Sequence, residues 1–247
     1  MAGFDTGATV NQVWQGAKAK YGTPLFWIRY FSPTTGENRI DASSANANSE
    51  CEAIWSCNSS SPNLGPISYP VQSTLNGSQS TGQADAQLFA NAMLAVYHDV
   101  GPLEMPNTNI LISWLDLEAS YPLSVPYWNG WSEYINEYDG FGSDYPYPLY
   151  TGLYCNPDAE APNCSTIADS TDGCYAVWAS APPACGYSMS DTPPWDAESC
   201  SAAKTYLWQF GPEGTCYVNS ASDAVDLDVG APGTGYGTYC FYLAANP

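Results

Sequence analysis

The sequence predicts an α/β protein, a single TIM-like (β/α) barrel, and three observations carry that expectation. Eight short apolar, aromatic or β-branched runs recur along the 247 residues, helical periodicity fills the gaps between the early runs, and irregular Cys-rich connections replace it between the later ones. Helices are therefore expected after the early strands and reduced or absent after the later ones, where disulfides staple the loops. A doubly wound sheet is the structural competitor, but no Gly-rich dinucleotide turn follows the first run, so its usual ligand site is not signalled. No internal repeat, linker or change of composition divides the chain. Residues 1–247 read as one barrel domain, with 231–247 a C-terminal tail packed on it.

The candidate strands are Gly3 to Asp5, Leu25 to Phe31, Pro66 to Val71, Ile110 to Glu118, Leu149 to Cys155, Tyr175 to Ala179, Thr205 to Phe210, and Val225 to Val229. Between the first two, Val10 to Tyr21 carries Val10, Val13, Trp14 and Ala17 at helical spacing. Ser80-Thr81-Gly82-Gln83 reads as a capping box opening a helix to about Val100, with Phe89, Ala92, Met93, Val96 and Val100 as its apolar stripe. Trp128 to Tyr138 is a third, weaker helix.

Twenty-five acids against five bases leave a net charge of -20, which sets the field of the whole protein against phosphate backbones and anionic membranes. Neither nucleic acid nor membrane is an expected partner, and no apolar run is long enough to span a bilayer. No leader precedes Gly3, so any export signal is expected to have been removed or never present. The nine cysteines include no Cys-x-x-Cys pair and the only histidine is His98, so zinc spacings are absent and disulfides are the better reading. Six of the nine lie between Cys155 and Cys216 among Pro, Gly, Ser and Asp, which points to stapled loops in an oxidising, extracellular compartment. The odd count leaves one thiol free or paired with another chain, and Cys51 and Cys57 are close enough to close a small loop. A secreted monomer without a cofactor is expected. Asn58, Asn76 and Asn163 match the glycosylation acceptor pattern, as chance alone supplies in so Asn- and Ser-rich a chain.

Asp116 and Glu118 interrupt the apolar stretch ISWLDLEAS. Residues two apart on a strand share a face, so the two acids project together and their repulsion raises at least one pKa. Asp5 ends the first strand, while Asp226 and Asp228 stand i, i+2 on the eighth. Strands one and eight are neighbours in a closed barrel, which brings Asp5 beside Asp226 with Glu118 across the mouth. Converging carboxylates suit glycoside hydrolysis, which needs one acid to protonate the leaving oxygen and anions to steady the cationic transition state. Ca²⁺ or Mg²⁺ binding ranks second, without an EF-hand-like loop to favour it, and no metal site is assigned. A solvated strand end is the default reading for any single acid, Asp228 and Asp223 included. Arg29, on strand two, is a candidate for a salt bridge to a site carboxylate or for a substrate contact. Trp114, Trp178 and Trp208 line either core or mouth. Triad chemistry would depend on His98, near the end of an amphipathic helix, and no Walker loop, zinc-binding His pair or nucleophile elbow is present.

Gly3-Phe-Asp5-Thr, Phe26-Trp-Ile-Arg29-Tyr30, Ile112-Ser-Trp-Leu-Asp116-Leu-Glu118, Gly152-Leu-Tyr154-Cys-Asn156, Val177-Trp178-Ala179, Leu207-Trp208-Gln209-Phe210 and Val225-Asp226-Leu-Asp228 occur in an order that resembles glycoside hydrolase family 25, the muramidases also called Chalaropsis-type lysozymes. Pro66-Ile-Ser-Tyr-Pro-Val-Gln72 and Gly82-Gln-Ala-Asp85-Ala86 are closer to the related glycoside-hydrolase-like group, domain of unknown function 1906. The resemblance implies a barrel with helices after the early strands only. It implies Glu118 as general acid, Asp116 as the group that orients the substrate acetamido or stabilises an intermediate, and Asp5 and Asp226 as acids lining the site. Substrate-assisted retention is the favoured proposal for such muramidases. Tyr154 and Trp178 would contact substrate, with Arg29, Asn156 and Trp208 completing the candidate binding set. The implied partner is a β-linked polysaccharide, peptidoglycan first, with chitin or cellulose as alternatives and a noncatalytic carbohydrate-binding or envelope-associated structural protein as the competing class. The Cys-rich insertions from Cys155 to Cys216 and the tail from Ala231 to Pro247 depart from the family pattern.

Overall fold

The computed structural model describes residues 2–6, 10–31, 63–68, 70–100, 111–117, 121–138, 149–155, 164–168, 174–180, 187–192, 194–197, 204–211, 216, 218 and 225–232. Strands β1 (Ala2–Thr6), β2 (Phe26–Phe31), β3 (Asn63–Ser68), β4 (Leu111–Leu117), β5 (Leu149–Cys155), β6 (Ala176–Ser180), β7 (Thr205–Gly211) and β8 (Asp226–Gly230) close into a barrel in chain order. The first seven run parallel, whereas β8 is antiparallel to both β7 and β1. Eight strands were expected and eight form, but the reversal of the last is not visible in its own sequence. Strand β3 begins and ends three residues before the expected Pro66 to Val71, because its ladder with β2 runs from Asn63 to Ser68 and the chain then turns into the 3₁₀ segment Gln72–Thr74.

Helices α1 (Val10–Tyr21), α2 (Gln79–Val100) and α3 (Val125–Glu137) follow β1, β3 and β4. Among the described residues after β5, only the single turn 164–168 is α-helical, as the fading periodicity predicts. Helix α1 buries Val13, Trp14, Ala17 and Tyr21 and ends at Gly22, whose φ of 98° suits a residue without Cβ. The cap of α2 is Ser78 rather than Ser80, since the Ser78 hydroxyl accepts from the Thr81 N–H at 3.3 Å. Helix α3 starts three residues before Trp128, where Ser124 accepts from the Tyr127 N–H at 3.1 Å and Pro126 fits the first turn. Gly82 and Gly130 let α2 and α3 touch: a Cβ at Gly82 would sit 2.0 Å from the Tyr127 carbonyl oxygen, and one at Gly130 would sit 1.9 Å from that of Gln79.

Both faces of the strands are buried, which is why they read as near-continuous apolar runs. Outward side chains, among them Phe4, Trp27, Leu115, Val177, Trp208 and Leu227, form one core with the helices; Phe26, Ile28, Ile67, Ile112, Trp114, Ala176, Trp178 and Leu207 fill the barrel itself. Two glycines make room inside, since Cβ atoms at Gly3 and Gly152 would lie 2.2 Å from the Phe26 ring and 2.3 Å from that of Trp114. Cys155 and Cys164 form a disulfide and Cys216 is also disulfide-bonded. Cys174 is a free, buried thiol, pushed up to about 11 chiefly by burial. Cys51, Cys57 and residues 233–247 of the tail lie outside the described residues, as do Asn58 and Asn163, while Asn76 is exposed on a turn. No described helix is long and apolar enough to cross a membrane.

Candidate active site

The interior positions of each strand follow from alternation: Gly3 and Asp5 on β1, Tyr30 above Phe26 and Ile28 on β2, Asp116 above Ile112 and Trp114 on β4, and Tyr154 above Gly152 on β5. Trp178 and Ser180 on β6 and Gln209 above Leu207 on β7 continue the ring. Because β8 is antiparallel, it offers the mouth its N-terminal end, and Asp226 pairs in register with Asp5 while Asp228 pairs with Gly3 one layer deeper. The expected neighbourhood of Asp5 and Asp226 therefore forms, but by strand reversal and not through a C-terminal strand end.

Gln209 ties this layer together. Its Nε2 donates to Asp5 Oδ2 at 3.0 Å and to Asp226 Oδ2 at 3.1 Å, and its Oε1 accepts from Tyr154 at 3.0 Å and from Ser180 at 2.7 Å. Both donors and both lone pairs of the amide are thus engaged, which fixes its orientation, because a flipped amide would turn its oxygen toward two carboxylates. Tyr30 also donates to Asp5, at 3.3 Å. Burial foremost, then the field of the acids, pushes both phenols well above their ordinary pKa; Asp5 is the leading acid for Tyr30 and Asp116 for Tyr154, with Asp226 acting on both. Asp5, Asp116 and Asp226 thus converge on the two half-buried tyrosines, and all three are buried.

Three candidate residues sit elsewhere than expected. Arg29 lies on the outer face of β2 between Trp27 and its neighbours, where its guanidinium donates to the Thr6 carbonyl oxygen; alternation turns it away from the mouth. Trp208 points outward by the same rule and packs on Trp195 and Phe210 at ring distances of 5.9 and 6.0 Å. Trp178 is interior but fully buried, so it supports Tyr154 from below, with ring centroids 4.6 Å apart, instead of lining the opening. Glu118 and Asn156 lie outside the described residues, as does Asp223, and the side chain of His98 is not described. Asp228 is no solvated strand end: it is fully buried and accepts from the Trp178 indole N–H at 3.1 Å. Tyr30, Ser180 and Gln209 were missed as site residues although alternation marks them, each standing two residues from an interior apolar side chain. Among the described residues no three His, Cys, Asp or Glu side chains are grouped to hold a metal ion.

An uncharacterized protein of B. stearothermophilus matches with a TM-score of 0.66 at 17% identity, over 94% of this chain and 96% of that one. The spore cortex lytic enzyme SleM of Clostridium perfringens matches with a TM-score of 0.55 at 15% identity, covering 95% and 68% of the two chains. The glycosyl hydrolase 25 GHIP of Streptococcus pneumoniae, described as a virulence factor in host cell invasion, matches with a TM-score of 0.54 at 17% identity over 94% and 87%. The fold is glycosyl hydrolase 25-like. No protein-family model and no curated protein matches the chain.

Proposed function

We propose that this protein is a secreted glycoside hydrolase, active as a monomer, that cleaves a β-linked polysaccharide, peptidoglycan first. The observation that carries the reading is the convergence of Asp5, Asp116 and Asp226 on Tyr30 and Tyr154, with Gln209 bonded to both Asp5 and Asp226, at the mouth of a glycosyl hydrolase 25-like barrel. Glu118, two residues beyond Asp116 in the sequence, is proposed as the general acid that protonates the leaving oxygen. Asp116, beside Tyr154 in register, stabilises the positive charge that develops at the sugar. Asp5 and Asp226, clamped by one amide, hold the negative field steady through the reaction, so no side chain has to reorganise as charge appears.

The cations support a substrate that carries no dense negative charge. Of the five basic residues, Lys18 and Lys20 lie over the rings of Trp14 and Tyr21, Arg29 faces outward, and Lys204 donates to the Ala168 carbonyl oxygen; Arg39 lies outside the described residues. Disulfide-bonded Cys155 and Cys164 support an oxidising, extracellular setting.

Reducing-end release from peptidoglycan, chitin, cellulose and a polyuronate tests the proposal, with Glu118→Gln beside the parent. Release from peptidoglycan, weak or absent release from the polyuronate, and a loss of roughly 10²–10⁴-fold in the variant are expected. Equal rates for parent and variant would remove Glu118 as the acid, and silence of the parent on every polymer would favour a noncatalytic carbohydrate-binding role.

A further inference from the structure

One buried carboxyl has no part in that scheme. Asp228 stands one interior layer below Asp226 and is completely buried. Its Oδ1 accepts from the Trp178 indole, and its Oδ2 meets no N–H or hydroxyl donor. Register with β1 sets it diagonally below Asp5 on the same interior face, so the two carboxyls are neighbours. Two carboxylates cannot hydrogen-bond to each other, so a bond between these neighbours requires a proton on one of them. Asp5 accepts an N–H from Gln209 and an O–H from Tyr30, both of which favour its anion, whereas Asp228 has a single N–H donor, the Trp178 indole. The proton therefore belongs to Asp228.

We propose that Asp228 is a positioning residue, a neutral carboxylic acid beneath the mouth whose O–H donates to Asp5 and locks that carboxylate in place. Its catalytic consequence rests on the hydrolase reading; the proton itself does not. The titratable groups facing the pair are Asp226 on β8, Asp116 on β4, Tyr30 on β2 and Tyr154 on β5, and none of them is a cation. Burial first, then Asp5 and Asp226, pushes the Asp228 carboxyl well above the ordinary range, with the Trp178 bond opposing in part. An acid whose pKa is raised on folding holds more protons in the native state than in the unfolded chain. Stability consequently falls as pH rises from the unfolded value through the folded one. Over the same window an extra anion forms against Asp5 and loosens it.

Asp228→Asn keeps an N–H for Asp5 and an oxygen for Trp178 but cannot titrate, whereas Asp228→Ala removes both. The expected results are that Asp228→Asn retains at least about ten times the kcat/KM of Asp228→Ala and that its alkaline limb moves up by about one pH unit or more relative to the parent. Its melting temperature should also fall less than the parent's between about pH 5 and about pH 8. Melting curves of Asp228→Asn and parent that run parallel across that range would overturn the proposal, whatever the activities. Divergent melting curves in a protein that cleaves no glycan would uphold the shared proton and remove the hydrolase reading.

Discussion

Replacing Gln209 by glutamate changes one atom group at the junction of the site and leaves its shape almost untouched. The native amide donates to Asp5 at 3.0 Å and to Asp226 at 3.1 Å, and both bonds are charge-assisted and buried. At about 1.5–3 kcal/mol each, losing both costs about 3–6 kcal/mol. Gln209→Glu also sets a third carboxyl against two others, so the new group takes up a proton in the native state and its pKa rises above the unfolded value near 4.3. The sign follows: the deficit relative to the parent is smallest in acid and grows as pH climbs past the unfolded pKa toward the folded one. For a chain of this size, about 2–4 °C per kcal/mol translates the loss into a melting temperature lower by about 6–24 °C at neutral pH. Thermal melts of both proteins from about pH 4 to about pH 8 measure it. A difference under about 2 °C that does not vary with pH would refute the idea that this amide holds the carboxylates together. Gln209→Met, which adds no charge, separates the hydrogen-bond loss from the repulsion, because its deficit lacks the growth contributed by the new carboxyl.

Trp208→Ala empties an outward-facing, nearly fully buried position against Trp195 and Phe210, so about 3–5 kcal/mol of stability is expected to go while KM stays within about twofold of the parent; a large rise in KM with an unchanged denaturation midpoint would return Trp208 to the binding surface. Tyr154→Phe removes one hydroxyl bond to Gln209 and is expected to cost about 1 kcal/mol in denaturant titration, with a larger effect on kcat than on KM. Opening the Cys155–Cys164 link by paired Cys→Ser substitution frees a loop of sequence separation 9, for which chain entropy gives a loss of roughly 2.5 kcal/mol; an unchanged denaturation midpoint would show that the bond contributes nothing.

Much of the barrel was legible because hydrophobic pattern is local. The run LISWLDL is apolar on both faces and VNQVWQGAKAKY is amphipathic at helical spacing, and each formed the element its period implies. Capping was legible in kind and misplaced by two residues, since Ser78 and Ser80 are equally good caps until α2 packs against α3 through Gly82 and Gly130. The gathering of acids at the candidate site was legible wherever chemistry is rare in context, as with Asp5, Asp116 and Asp226, acids within apolar strands. It was misread where the residue type outweighed the strand's parity. Arg29 and Trp208 look functional by composition, yet Tyr30 and Gln209, their immediate neighbours, carry the hydrogen bonds to Asp5.

Taken alone, the sequence determined the number of barrel strands, the loss of helices among the described residues after β5, the disulfide-bearing region and a set of acids too hydrophilic for their surroundings. Those properties depend on spacing within a few residues and on composition, which any segment carries with it. The tertiary structure decided the direction of β8, and with it the meeting of Asp226 with Asp5 at the mouth and the burial of Asp228 beneath them. A strand's direction in a sheet depends on where its neighbours lie and how the connection returns, and nothing in Asp-Leu-Asp-Val-Gly records that. The same limit hid the clamp, because Gln209 reaches Asp5 across 204 residues of chain and only barrel closure brings the two within a hydrogen bond.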